Sequence, residues 1–152
     1  MDNASKNSVP NVLLVEDSDT DIAIIKDAFG RTQLLKIIDV IKDGEEAIDY
    51  LRKTGKYKDK EIPGLVLLDI NLPKKNGFQV LEEIKTDPNL KQIPVIILTT
   101  SDRDEDITQS YAKGACTFVK KPVSFEEFSK TIQYFSSYWA LVAKLPSYRS
   151  NV

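Results

Sequence analysis

Five short apolar runs alternate with amphipathic stretches along these 152 residues, and that alternation constrains the fold more than any other feature. The runs centre on Val12-Leu13-Leu14-Val15, Ile37-Ile38-Asp39-Val40-Ile41, Leu65-Val66-Leu67-Leu68, Val95-Ile96-Ile97-Leu98 and Phe118-Val119-Lys120. They read as strands over 11–16, 36–41, 65–69, 94–98 and 116–120. Between them, apolar residues recur every three or four positions, the period of a helix. Ile22, Ile25, Ala28 and Phe29 share one face of a helix expected from Asp19 to Gly30. A second helix is capped by Asp43 and stops at Gly55; a third starts at Gly77; a fourth runs from Arg103 to Lys113 before Gly114. Ser124 caps a long last helix that reaches the Tyr/Trp-rich end. Strands separated by helices must be parallel neighbours, because only a crossover returns the chain to the same edge. Right-handed crossovers then favour a doubly wound α/β sheet of order 2-1-3-4-5, with helices on both faces. The expected organisation is an N-terminal arm over 1–10, one domain over 11–143 and a tail over 144–152.

The balance of 21 basic and 23 acidic residues, net −2, lacks the basic footprint of a nucleic-acid binder. No apolar stretch is long enough for a membrane span, and the polar N-terminus lacks a signal-peptide core. The single Cys116 rules out an internal disulfide and suits a reducing cytoplasm; it reads as a small buried residue at a strand start. Histidine is absent. That removes Ser-His and Cys-His nucleophile pairs and His-ligated zinc, and a phosphohistidine can come only from a partner.

The strand ends carry the chemistry. In the order 2-1-3-4-5 the first and third strands meet at the switch point, where open α/β sheets bind ligands. Their tips bear Glu16-Asp17 and Asp69. Crowded carboxylates repel one another, and an all-oxygen set free of His and Cys selects a hard cation, Mg²⁺ or Mn²⁺. The backbone carbonyl of Asn71, two residues past Asp69, is placed to add a ligand. The fourth strand ends in Thr99-Thr100 and the fifth in Lys121, a donor and a positive charge suited to phosphoryl oxygens. Asp69 is therefore the expected nucleophile. Asp19 and Asp21 read as favourable charges in the first turn of the first helix, and Lys74 and Lys75 as a solvated loop.

Five motifs in this order resemble the receiver domain of two-component response regulators. They are Leu14-Val15-Glu16-Asp17-Ser18, Leu67-Leu68-Asp69-Ile70-Asn71-Leu72-Pro73, Asn76-Gly77, Leu98-Thr99 and Lys121-Pro122. The resemblance spans residues 11 to about 137 and implies a flavodoxin-like three-layer sandwich. It implies that Asp69 accepts a phosphoryl group from the phosphohistidine of a sensor kinase. It makes Glu16, Asp17, Asp69 and the Asn71 carbonyl the metal ligands. Thr99 becomes the switch hydroxyl, with Thr100 beside it, and Lys121 the phosphate-pairing lysine before a cis peptide to Pro122. Phe118 matches the aromatic whose rotamer follows Thr99. The acid pair departs from the commoner Asp-Asp of the family. Within the family, Gly55-Lys56-Tyr57, Leu72-Pro73-Lys74-Lys75 and Leu98-Thr99-Thr100-Ser101 resemble the stand-alone receivers that serve phytochrome-type and other soluble sensor kinases.

Two rival classes are weighed against this. A phosphatase of the haloacid dehalogenase type needs a second Asp two residues after the nucleophile, where this chain has Asn71, so at most slow autodephosphorylation is expected. A docking module independent of phosphorylation would not need the intact site. Only thirty residues follow Pro122, so output is expected through protein contacts rather than an appended DNA-binding domain. The last helix carries the stripe Phe125, Phe128, Ile132, Phe135, Trp139, Val142, core in its early part, and a flanking row of Tyr134, Tyr138, Leu141 and Leu145. Tyr134, Tyr138, Trp139, Leu141 and Val142 are the candidate surface for a homodimer or partner docking, together with the fifth strand.

Overall fold

The computed structural model describes residues 9–146. The terminal arm and tail expected from the sequence lie largely outside them. Five strands, β1 (Asn11–Val15), β2 (Lys36–Ile41), β3 (Leu65–Leu68), β4 (Val95–Thr99) and β5 (Thr117–Lys120), form one parallel sheet of order β2-β1-β3-β4-β5. The helices are α1 (Asp19–Thr32), α2 (Gly44–Leu51), α3 (Gly77–Thr86), α4 (Asp104–Ala112) and α5 (Phe125–Ser137). This is the doubly wound α/β architecture expected from the alternation.

Alternate side chains of a strand face opposite sides, and here the two sides carry separate cores. Leu13, Val15, Val66, Leu68, Val95 and Ile97 join α2 and α3 on one face. Val12, Leu14, Leu65, Leu67, Ile96 and Leu98 join α1 and α5 on the other. The central strands are buried on both faces, which is why they read as unbroken apolar runs.

Several boundaries differ from expectation. Helix α1 runs through Gly30 to Thr32 and ends where Gln33 adopts a left-handed conformation, φ 55°. Helix α2 ends at Leu51 and a short 3₁₀ turn, Gly55–Tyr57, follows. Cys116 is exposed, and Ala115 takes the buried position before β5. The last helix is not continuous. Regular α5 stops at Ser137 and a wider π-type turn, Tyr138–Val142, closes with Ala143 N–H on the Tyr138 carbonyl at 2.9 Å. The extra residue per turn re-registers the chain so that Trp139, Ala140 and Leu145 reach the α1/α5 core. Phe125, expected in that core, is exposed at the first position of α5, before the helix settles onto α1.

Candidate functional site

The C-terminal ends of β1, β3 and β4 and the residue after β5 bring the predicted groups to one rim. Glu16 is 1% exposed and its neighbour Asp17 is exposed, so a single residue step separates a buried acid from a solvated one. Carboxylate oxygens of Glu16, Asp17 and Asp69 lie within 4.8 Å of one another. Lys121, 4% exposed, reaches into this group from a backbone anchored by its own N–H on the Thr99 carbonyl at 2.6 Å. Its ammonium lies 2.6 Å from Glu16 Oε1, 2.8 Å from Asp21 Oδ2 and 3.3 Å from Asp69 Oδ2.

Burial raises the Glu16 carboxyl to about 7; the Lys121 hydrogen bond opposes that rise and the charge of Asp69 adds to it. Burial also disfavours the Lys121 ammonium, but its hydrogen bonds to Asp21 and Glu16 and the charge of Asp69 outweigh burial. The lysine is held protonated well above its ordinary range. Asp69 Oδ1 meanwhile accepts the Asn71 N–H at 3.4 Å, which orients the carboxylate. Asn71 itself is exposed, two residues on, as the sequence placed it.

Thr99 completes the set in an unexpected way. Its hydroxyl is buried and has no hydrogen-bond partner. A buried hydroxyl without a partner costs on the order of 1–3 kcal/mol, so this one is poised for an acceptor that arrives from outside. Thr100 is exposed. Phe118 is half-buried against the α2/α3 core, and its N–H donates to the Tyr111 hydroxyl at 3.2 Å.

The loop after β3 is fixed by two glycines. A Cβ on Gly77 would lie 2.3 Å from the Asp69 carbonyl oxygen, and one on Gly44 would lie 1.9 Å from the Lys75 carbonyl oxygen. Only a residue without a side chain lets α2 and α3 approach the loop after Asp69 so closely. Gly77 N–H donates to the Ile70 carbonyl at 2.7 Å and Gly44 N–H to the Pro73 carbonyl at 3.2 Å, which clamps the loop from both sides.

Three expectations need correction. The bond from Lys121 to Pro122 is trans, as are all peptide bonds among the described residues. The trans isomer is the lower-energy one for most X–Pro bonds, and Lys121 reaches the acids from it without rearrangement. Asp21 is not merely a helix-end charge: it is a second-closest partner of the buried lysine. Lys75 is only partly solvated, half-buried and paired with Glu83, while Lys74 is exposed as expected.

The chemistry of the donor set fits a hard dication: three clustered carboxylates, one ammonium, and no nitrogen or sulfur ligand.

Comparisons with known proteins bear on the family and the fold. A sequence model of the response regulator receiver domain matches residues 12–133. The response regulator Rcp1 of Synechocystis sp. is 36% identical over 136 residues, which cover 90% of this chain and 92% of Rcp1. The crystal structure of the phosphorylated cyanobacterial phytochrome response regulator RcpA superposes with a TM-score of 0.88 at 38% identity, over 92% of this chain and all of that one. The Mn²⁺-bound form of Rcp1 gives 0.86 at 36% identity, over 91% and 99% of the two chains.

Proposed function

This chain belongs to the response regulator receiver domain family, and from that premise we propose that it takes a phosphoryl group onto Asp69 from the phosphohistidine of a sensor kinase. The observation that carries the assignment is the buried ammonium of Lys121 3.3 Å from the Asp69 carboxylate, on a rim shared with the unpartnered Thr99 hydroxyl.

In the transfer, an Asp69 oxygen attacks phosphorus as the P–N bond of the donor breaks. The bonding pair returns to the imidazole, which takes up a proton from solvent. Asn71 N–H orients the attacking carboxylate, and Lys121 supplies a fixed positive charge for the phosphoryl oxygens. Thr99 donates its unused hydroxyl to one of those oxygens. Glu16, Asp17, Asp69 and the Asn71 carbonyl would hold Mg²⁺ or Mn²⁺, which offsets the negative charge gathered at the rim. Engaging Thr99 draws the end of β4 toward Asp69 and biases the half-buried Phe118 and the β4–α4 loop, a population shift that a partner protein reads. Such a domain signals rather than turns over substrate.

The output surface we assign to the end of α5 and the turn after it, together with β5, as a homodimer contact. Tyr134, Leu141 and Val142 are 73%, 70% and 70% exposed, and Tyr138 is exposed beside them. Trp139 is withdrawn from that surface, since it packs against Phe135 with ring centroids 6.4 Å apart. Leu141→Glu with Tyr138→Glu should leave the fold intact and abolish self-association in sedimentation; unchanged association removes this surface from the account.

Incubation with acetyl phosphate and Mg²⁺ tests the central reading. Labelling of one group per chain, lost in Asp69→Asn, is expected. Multiple turnover would point to a phosphatase, and no labelling to a docking module.

A further inference from the structure

Resting on the phosphoacceptor reading, we propose that Asp21 is a positioning residue that competes with the phosphoryl group for Lys121. A lysine ammonium has three N–H donors. Three carboxylates surround this one, and the two shorter contacts go to Glu16 and Asp21 rather than to Asp69. Glu16 is committed at both oxygens, because its Oε2 also accepts the Ser18 N–H at 3.1 Å. It is also fully buried, so leaving it unpaired is costly. Asp21 differs. Its side chain is 22% exposed at the first turn of α1, where water replaces the lysine at low cost.

When phosphoryl oxygens arrive at Asp69 and require a donor, Asp21 is therefore the partner that gives the lysine up. Its carboxylate opposes the phosphorylated state twice, by holding the ammonium and by repelling the incoming negative charge. Asp21 thus sets how strongly the site retains a phosphoryl group without touching the nucleophile.

The test measures beryllofluoride binding in the presence of Mg²⁺ for the parent, Asp21→Ala and Asp21→Glu, with Asp69→Asn as the control for the phosphoacceptor itself. Loss of one charge and one competing acceptor should tighten beryllofluoride binding about tenfold in Asp21→Ala. Asp21→Glu, which keeps the charge, should bind like the parent. A residue that only braced α1 would instead weaken binding when removed, or leave it unchanged, and either result overturns the proposal. A crystal structure of Asp21→Ala without beryllofluoride reads the same idea independently of phosphoryl chemistry. The Lys121–Asp69 contact should contract below 3.3 Å; a lysine that stays in place also overturns it. If the parent shows no beryllofluoride adduct while the lysine does shift, the phosphoacceptor reading fails and the competition of carboxylates for Lys121 stands.

Discussion

The centre of the sheet and its β5 edge are built to different standards. Around β1 and β3 every strand residue except Asn11 is buried, and the helices α1, α2, α3 and α5 bury aliphatic and aromatic side chains against them. At the β5 edge, the strand is only half-buried, and the two residues that α4 buries are Asp106 and Ser110. Asp106 is held there by Ser101 Oγ at 2.5 Å and by Arg103 at 3.2 Å, and Ser110 returns its hydroxyl to the Asp106 carbonyl. The first region positions the acids; the second begins beyond Thr99 and ends in the buried Lys121. Local stability follows buried apolar contact, so the α4–β5 edge is the part of this fold that rearranges most cheaply. A chemical centre on rigid strands, beside a loosely packed edge held by polar contacts, is what a two-state signalling surface requires.

The sharpest way to break that contrast is to cut equal kinds of side chain from each region. Leu67→Ala should lower unfolding free energy by about 2–5 kcal/mol, because the cavity lies in a core that cannot collapse. Phe118→Ala, at the half-buried edge, should cost about 1 kcal/mol despite its greater size. Denaturant titrations with equal costs would refute the contrast.

Next in size is the effect of the metal. Saturating Mg²⁺ at a hundred times its dissociation constant should stabilise the parent by about 2.7 kcal/mol. Calorimetry should show little of this in Asp17→Asn, whose exposed acid contributes to the cluster and not to the core.

Thr99→Val should move in the opposite direction. Removing an unpartnered buried hydroxyl is expected to raise stability by about 1 kcal/mol while impairing the response of α4–β5 to beryllofluoride in amide exchange. A destabilised variant would mean that the hydroxyl already has a partner in the resting protein.

The smallest expected effect concerns pH at the loose edge. Asp106 is held below its ordinary carboxylate value by hydrogen bonds from Arg103 and then Ser101. A folded-state value below the unfolded one means stability that is present above the unfolded value of 3.8 and lost as pH falls through the folded one. Asp106→Asn should therefore flatten the acid limb of the stability curve in that window only. Tyr57 gives the alkaline counterpart: burial first, then Glu46, raises its hydroxyl to about 12, so its contribution holds below the ordinary 10.0 and fades as pH climbs through that higher value.

The strands and their order were readable because β1, β3 and β4 are buried on both faces and leave continuous apolar runs. Glu16, Asp17, Asp69, Thr99 and Lys121 were readable because each directly ends or follows such a run. Asp21 was not, since an acid in the first turn of a helix already has a sufficient local explanation, and its bond to Lys121 spans 100 residues. The turn at Tyr138–Val142 was missed for a related reason. Apolar residues at helical spacing fit a straight helix equally well until Trp139 and Leu145 must both reach the same core. The exposure of Cys116 depended on a one-residue register at the start of β5, which periodicity over four residues does not determine.

The most direct measurement is a crystal structure of the protein with Mg²⁺ and beryllofluoride. The account predicts the adduct on Asp69, with the Thr99 hydroxyl and the Lys121 ammonium both within hydrogen-bond distance of its fluorides. An adduct on another acid, or one on Asp69 that leaves Thr99 unpartnered and Lys121 turned away, would contradict it.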